Sequence, residues 1–365
     1  MKLFAAALVF VAAAAAQSTN VGVYLGWVGT YPGNRLEVGA NLAKTSGIDT
    51  IRVPLVASVD IDFDIGRQCE SHLTLREIAA LRQYRDVFRD PALKTIFLTT
   101  WGDSRSYNPC QPRDPRSDQH PHKLYLDKNY YYSASRDRMR AEYSDLTYHL
   151  YETYHGSGKL FGISNWEGDN ELYCDAALYF VTRPAFRSMC ESERKTGDVM
   201  VAYREYLTLR HQGIEDGRSR AAQHGLKDVT VVDVVEFSAF HSLNGNPGLL
   251  QDVIPNVPAP GLVSYSAWES LGDSLAKDLA ELKNRFHEKL IIGEFGFDRG
   301  LDPSAPAKLE ATLKTIRENQ IPCAIFWQMF DQPPLEGLGD KGLYGLYDRN
   351  LAITDLGQRI LHRHQ

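Results

Sequence analysis

Apolar and polar positions along this chain follow two alternating periods. Eight short runs rich in β-branched residues are bounded by Gly, Pro, Asp or Asn. They are "VGVYLGW" (21–27), "IDTIRVPLV" (48–56), "LKTIFLTTW" (93–101), "KLFGISNWE" (159–167), "DVTVVDVVEFS" (228–238), "GLVSYSAW" (261–268), "KLIIGEFG" (289–296) and "PCAIFWQMF" (322–330). Runs of this kind read as strands. Between them, apolar residues recur at spacings of three and four in 73–88, 135–155, 195–225, 274–287 and 306–320, as amphipathic helices do. Strand–helix alternation predicts an α/β fold with a parallel sheet, and eight strands predict its closure into a single (β/α)8 TIM barrel. An open doubly wound sheet would carry a Gly-rich phosphate loop after its first strand, and none follows Trp27.

The first residues break this pattern. "MKLFAAALVFVAAAAAQ" has one Lys, an apolar run from Leu3 to Val11 and an Ala-rich end. It reads as a signal peptide spanning residues 1–16, too short in its apolar part for a membrane helix. Residues 17–365 then form one catalytic domain of a secreted, extracellular protein, expected to act as a monomer. A net charge of −6 with no basic stripe argues against nucleic acid and membrane surfaces as partners. Five cysteines leave one unpaired. Cys69–Cys110 and Cys174–Cys190 are the expected disulfides, with Cys323 a buried thiol, although four cysteines allow three pairings.

Barrel enzymes build their sites at the C-terminal ends of strands. Here those ends carry Trp27, Arg52, Trp101 with Asp103, Glu167, Glu236, Tyr265, Glu294 and Trp327. Two carboxylates are what glycoside hydrolysis needs, one to protonate the leaving oxygen and one to attack or to activate water. Glu294 follows an apolar run and a Gly, where backbone can approach a ligand. A structural Glu paired with a barrel cation is the alternative. Arg52 interrupts an apolar strand, and a buried cation needs an anion, for which Glu294 is the natural candidate.

These motifs together resemble the clan of retaining (β/α)8 glycosidases typified by cellulases and β-mannanases. "IRVPL" on the second strand, a Glu-bearing fourth strand, "IIGEFG" on the seventh and "IFWQMFD" on the eighth carry the resemblance. It implies an acid/base Glu after strand four, Glu294 as nucleophile, Arg52 as its support and Trp327 as an aromatic platform. "SNWEGDNEL" (164–172) offers two acids. The clan's Asn-Glu pairing nominates Glu171, with Asn170 gripping a sugar hydroxyl. Strand length nominates Glu167, which is the preferred reading. "NWEGD" also resembles a less characterised branch of these barrels, in which Glu167 is the acid. Asn165 and Asp169 flank it, to orient it or bind hydroxyls. Glu236 could bind sugar, pair with Arg52 or tune the acid.

Other signals are weaker. "HPH" (120–122) and "HRH" (362–364) have metal-ligand spacing but close no apolar strand, so no metal and no cofactor are expected. No G-x-S-x-G elbow supports a serine esterase. The long segment 103–134 reads as a lid or subsite wall, with Tyr130, Tyr131 and Tyr132 either stacking on sugar or packing the loop down. The expected function is hydrolysis of an oligo- or polysaccharide. The alternative is a catalytically inactive, carbohydrate-binding barrel acting as a secreted lectin or effector.

Overall fold

A computed structural model describes residues 19–25, 35–56, 73–107, 123–193, 195–334 and 340–361. Eight strands form the barrel: β1 Asn20–Tyr24, β2 Thr50–Pro54, β3 Thr95–Thr99, β4 Lys159–Ser164, β5 Val229–Phe237, β6 Leu262–Ser266, β7 Leu290–Phe295 and β8 Cys323–Phe326. Each pairs in parallel with the next, and β8 pairs with β1, so the sheet closes on itself. Every expected run coincides with one strand, β1 starting one residue early at Asn20, and the strands usually end one to three residues before the run does.

Two apolar layers follow from the alternation of side chains along each strand. Tyr24, Phe97, Val232, Val234, Ile291 and Ile325 fill the barrel interior. Their strand neighbours, such as Val23, Leu98, Val235 and Ile292, pack outward against the helices. Arg52 lies in register with Tyr24 on one side and Phe97 on the other, so it too faces inward. Glu236, two residues beyond Val234, does the same. The polar floor of the mouth is thus set by strand parity.

Helices Ser133–Tyr154 and Thr196–Gln223 pack closely on each other and against β5. The second buries Val199, Tyr203, Tyr206, Arg210, Gly213, Ile214, Gly217 and Ala221, one face at helical spacing. A Cβ on Gly213 would sit 2.4 Å from the Arg140 carbonyl oxygen, and one on Gly217 would sit 2.6 Å from that of Ser144. The two glycines let the helix backbones meet. Cys174 and Cys190 form a disulfide that clasps the two short helices Ala177–Thr182 and Pro184–Glu193 beside the β4 exit. Cys323 is a free thiol at the start of β8. Cys69, Cys110, both His-x-His pairs and the expected signal peptide lie outside the described residues. Among the described residues no helix is long and apolar enough to cross a membrane.

Candidate active site

Glu167 stands three residues beyond β4, at the N-terminal cap of the short helix Gly168–Leu172, and is buried. Ser266 at the end of β6 donates its hydroxyl to one carboxylate oxygen, and the Asn170 amide donates to the other. Its own backbone N–H donates to Glu236 at 3.1 Å. Burial pushes the Glu167 carboxyl up to about 7, and the neighbouring Glu236 charge adds to this. The Ser266 and Asn170 donors act in the opposite direction. The result is a carboxyl poised to exchange a proton near neutrality.

Glu294 reaches the same mouth from β7 through a bulge. Ser264 and Tyr265 pair with Ile291 and Ile292, but Ser266 pairs with Glu294, so Gly293 is the extra residue. A bulge re-aims the side chain that follows it. Only glycine fits here, because a Cβ on residue 293 would lie 1.9 Å from Glu236 Oε2 and 2.0 Å from Ser264 Oγ. The Trp268 indole N–H donates to Glu294 Oε2 at 3.4 Å, and Arg52 Nη1 lies 3.4 Å from Oε1. Among the described residues, none hydrogen-bonds Glu294 Oε1. Burial pushes this carboxyl well above its ordinary range, and the Glu167 charge raises it further.

Arg52 has a different principal partner from the one its sequence position suggests. Its two terminal nitrogens grip the two oxygens of Glu236 at 2.7 and 2.8 Å, a bidentate pair that is fully buried. Nε donates to Thr99 at 2.8 Å, and Nη1 also donates to the Gly293 carbonyl at 3.1 Å. Glu294 is left with the looser contact. The sequence could place a cation in the barrel, but not choose between two inward carboxylates.

The two glutamates of "SNWEGDNEL" part ways. Glu171 accepts from Lys123 at 3.2 Å, from Tyr203 at 2.8 Å and from the Tyr125 hydroxyl. Lys123 also pairs with Asp175 at 2.6 Å and lies over the Trp166 ring. Burial raises the Glu171 carboxyl while the Lys123 charge opposes the rise. Asn170 joins Glu167, and its side-chain Oδ1 accepts the Ala177 N–H at 3.0 Å. Asp169 accepts three backbone N–H groups, from Ser238, Ala239 and Leu249. It thereby ties down the loop after β5, and burial brings its carboxyl up to about 6. Asn165 bonds both ways to the Glu236 backbone, at 2.7 and 3.0 Å, locking β4 to β5.

Among the aromatic candidates, Trp327 packs on Tyr24 with ring centroids 4.6 Å apart, beside the Arg52 guanidinium. Trp101 stacks on Tyr107. Tyr265 lies on the opposite face of β6 from Ser266, and its hydroxyl bonds Ser270 and Glu269. Tyr130 bonds Asp103, and Tyr131 donates to the Tyr125 carbonyl, so both hold their loop down. Tyr132 is exposed. Ser264, Ser266 and Trp268 were not among the sequence candidates. Period-two alternation in "LVSYSAW" would have turned both serines inward with the floor of the mouth. Among the described residues no group of three or more His, Cys, Asp or Glu could hold a metal ion.

No protein-family model matches the sequence, and no curated protein does. Solved structures match it by fold. An exo-β-1,4-mannosidase from Opitutaceae bacterium strain TAV5 superposes with a TM-score of 0.57 at 15% identity, over 96% of this chain and 60% of that one. This chain therefore spans about three fifths of that enzyme's length. A GH5_18 protein from Streptomyces cattleya, solved with Manβ1-4GlcNAc, gives 0.57 at 14% identity, over 95% and 80%. The β-glycosidase of Thermosphaera aggregans gives 0.53 at 13%, over 90% and 84%. At these identities the likeness is one of fold: a (β/α)8 barrel of the kind that glycoside hydrolases use.

Proposed function

We propose that the protein is a secreted glycoside hydrolase that cleaves O-glycosidic bonds with retention, without a cofactor. Glu167 protonates the leaving oxygen while the Glu294 carboxylate attacks the anomeric carbon and forms a glycosyl-enzyme ester. Glu167, now ionised, then takes a proton from water as that water displaces Glu294. The proton that leaves Glu167 in the first step returns to it in the second. The observation that carries this reading is the pair itself: two buried carboxyls from β4 and β7, each with a neighbour that holds its protonation high. Mutual repulsion keeps one proton between them, as an acid and a nucleophile require. Glu171, saturated by Lys123 and two tyrosines, has no free role in this chemistry, which supports Glu167 as the acid.

β-Linked hexosides are the first substrates to test, since the fold neighbours include a β-mannosidase and a β-glycosidase by name. The Cys174–Cys190 disulfide supports an oxidising, extracellular destination. Monomeric action on an oligo- or polysaccharide completes the proposal. Proton NMR of the first-formed product over a panel of β-aryl glycosides tests the mechanism. The β-anomer is expected before mutarotation. The α-anomer as first product would mean inversion, and no cleavage across the panel would favour a carbohydrate-binding barrel.

A further inference from the structure

Glu236 is fully buried, and every oxygen lone pair that faces protein is taken. Oε1 accepts from Arg52 Nη2 at 2.8 Å and from the Glu167 N–H at 3.1 Å. Oε2 accepts from Arg52 Nη1 at 2.7 Å and from Ser264 at 2.8 Å. Four donors leave no room for a sugar hydroxyl, so Glu236 is not a substrate ligand. Two of the four donors come from Arg52, so Glu236 takes the bidentate share of that guanidinium.

We propose that Glu236 is a positioning residue that holds Arg52 away from Glu294, leaving the Glu167–Glu294 pair only the looser, 3.4 Å edge of that cation. The inference rests on the glycosidase reading for its catalytic meaning, but its geometry stands without it. Arg52 Nη1 lies 2.7 Å from Glu236 and 3.4 Å from Glu294, whose Oε1 has no hydrogen-bond partner among the described residues. Gly293 enforces the arrangement, since any side chain there would collide with Glu236 Oε2 and Ser264 Oγ. The groups that face Glu294 are Arg52 from β2, Glu167 from the β4 exit, Glu236 from β5 and the Trp268 indole beyond β6. The Tyr24 phenol on β1 lies beside Arg52. Three carboxyls thus share one guanidinium, and Glu236 takes the bidentate share. Held fully by Arg52, Glu294 would be a permanently ionised but weaker nucleophile. Held only loosely, Glu294 keeps the nucleophilicity of an undersupplied carboxylate while the one proton of the pair rests on Glu167.

A double-mutant cycle read by melting temperature at pH 8 tests the geometry independently of any substrate. In the wild-type background, Glu294→Gln relieves a crowded buried carboxylate, and Tm should rise by about 2–5 °C. In the Glu236→Gln background, Arg52 turns to Glu294 as its nearest remaining anion, and the same substitution should lower Tm by a similar amount. A change of the same sign in both backgrounds overturns the proposal. Because Glu236→Gln could fail to fold, Ser264→Ala serves as the second background. It removes one donor from Glu236 without touching the charges, and the Glu294→Gln gain should shrink by at least half; an undiminished gain overturns the proposal. If a substrate is found, Glu236→Gln should also move the acidic limb of kcat/KM about one pH unit lower with KM little changed, a shift that mere loss of structure would not produce. A sign reversal with no glycan cleaved would uphold the arrangement and sink the glycosidase reading instead.

Discussion

Two glutamates four residues apart, Glu167 and Glu171, occupy opposite kinds of environment. Both are buried at the ends of one short helical turn. Glu171 meets a lysine and two phenols, donors enough to satisfy an ionised carboxylate at rest. Glu167 meets a neutral amide and a hydroxyl, with two further carboxyls nearby and, among the described residues, no cation within hydrogen-bonding distance. Burial alone does not distinguish a structural carboxylate from a catalytic one. The charge and number of its donors do: a saturated carboxylate holds a fold together, and an undersupplied one is free to trade its proton.

The sharpest way to break this contrast is to neutralise each residue in turn. Glu167→Gln preserves shape, since a glutamine amide can accept from Asn170 and donate to the Ser266 hydroxyl. It should cut kcat/KM by about 10²–10⁴-fold on substrates with alkyl leaving groups. The loss should be much smaller with an activated aryl leaving group, which departs without a proton. Equal losses on both substrate types would remove Glu167 from the role of acid.

Glu171→Gln should do the reverse. It leaves Lys123 with Asp175 alone and two phenols facing an amide, so stability should fall by about 1–3 kcal/mol while kcat stays within about threefold. A thermal melt alongside a rate measurement checks this. A collapse of kcat with an unchanged melt would return the acid to Glu171.

The smallest effect concerns Asn170. Its donation favours the ionised form of Glu167, so Asn170→Ala should raise that carboxyl further. The basic limb of the rate profile, where the acid loses its proton, should then move to higher pH by up to about one unit. Movement to lower pH, or none, would separate Asn170 from Glu167.

Much of this contrast was legible in the sequence, and the rest was hidden for definite reasons. The strands were visible because β-branched runs and their turn residues are local signals, and their order dictated the barrel. Arg52 stood out as a cation in an apolar strand, and Glu294 as an acid after a glycine. Arg52's choice of Glu236 was not visible, because two inward carboxylates differ only in tertiary distance. The roles of Asp169 and Asn165 were hidden too, because hydrogen bonds to backbone on β5 leave no local mark. Glu167 and Glu171 could be narrowed to a pair by strand length and by the Asn-Glu pattern. Separating them needed Lys123, Tyr125 and Tyr203, which lie 32–48 residues away in sequence.

The central claim is that Glu294 attacks the sugar while Glu167 supplies the proton. Trapping the enzyme with a panel of mechanism-based 2-deoxy-2-fluoro β-glycosyl fluorides, followed by peptide mapping, tests it most directly. The account predicts one fluoroglycosyl ester per chain, on Glu294, slow to form and released by water or an added alcohol. An ester on Glu167, Glu171 or Glu236 would contradict it, as would turnover of the parent glycosides with no trapped carboxylate.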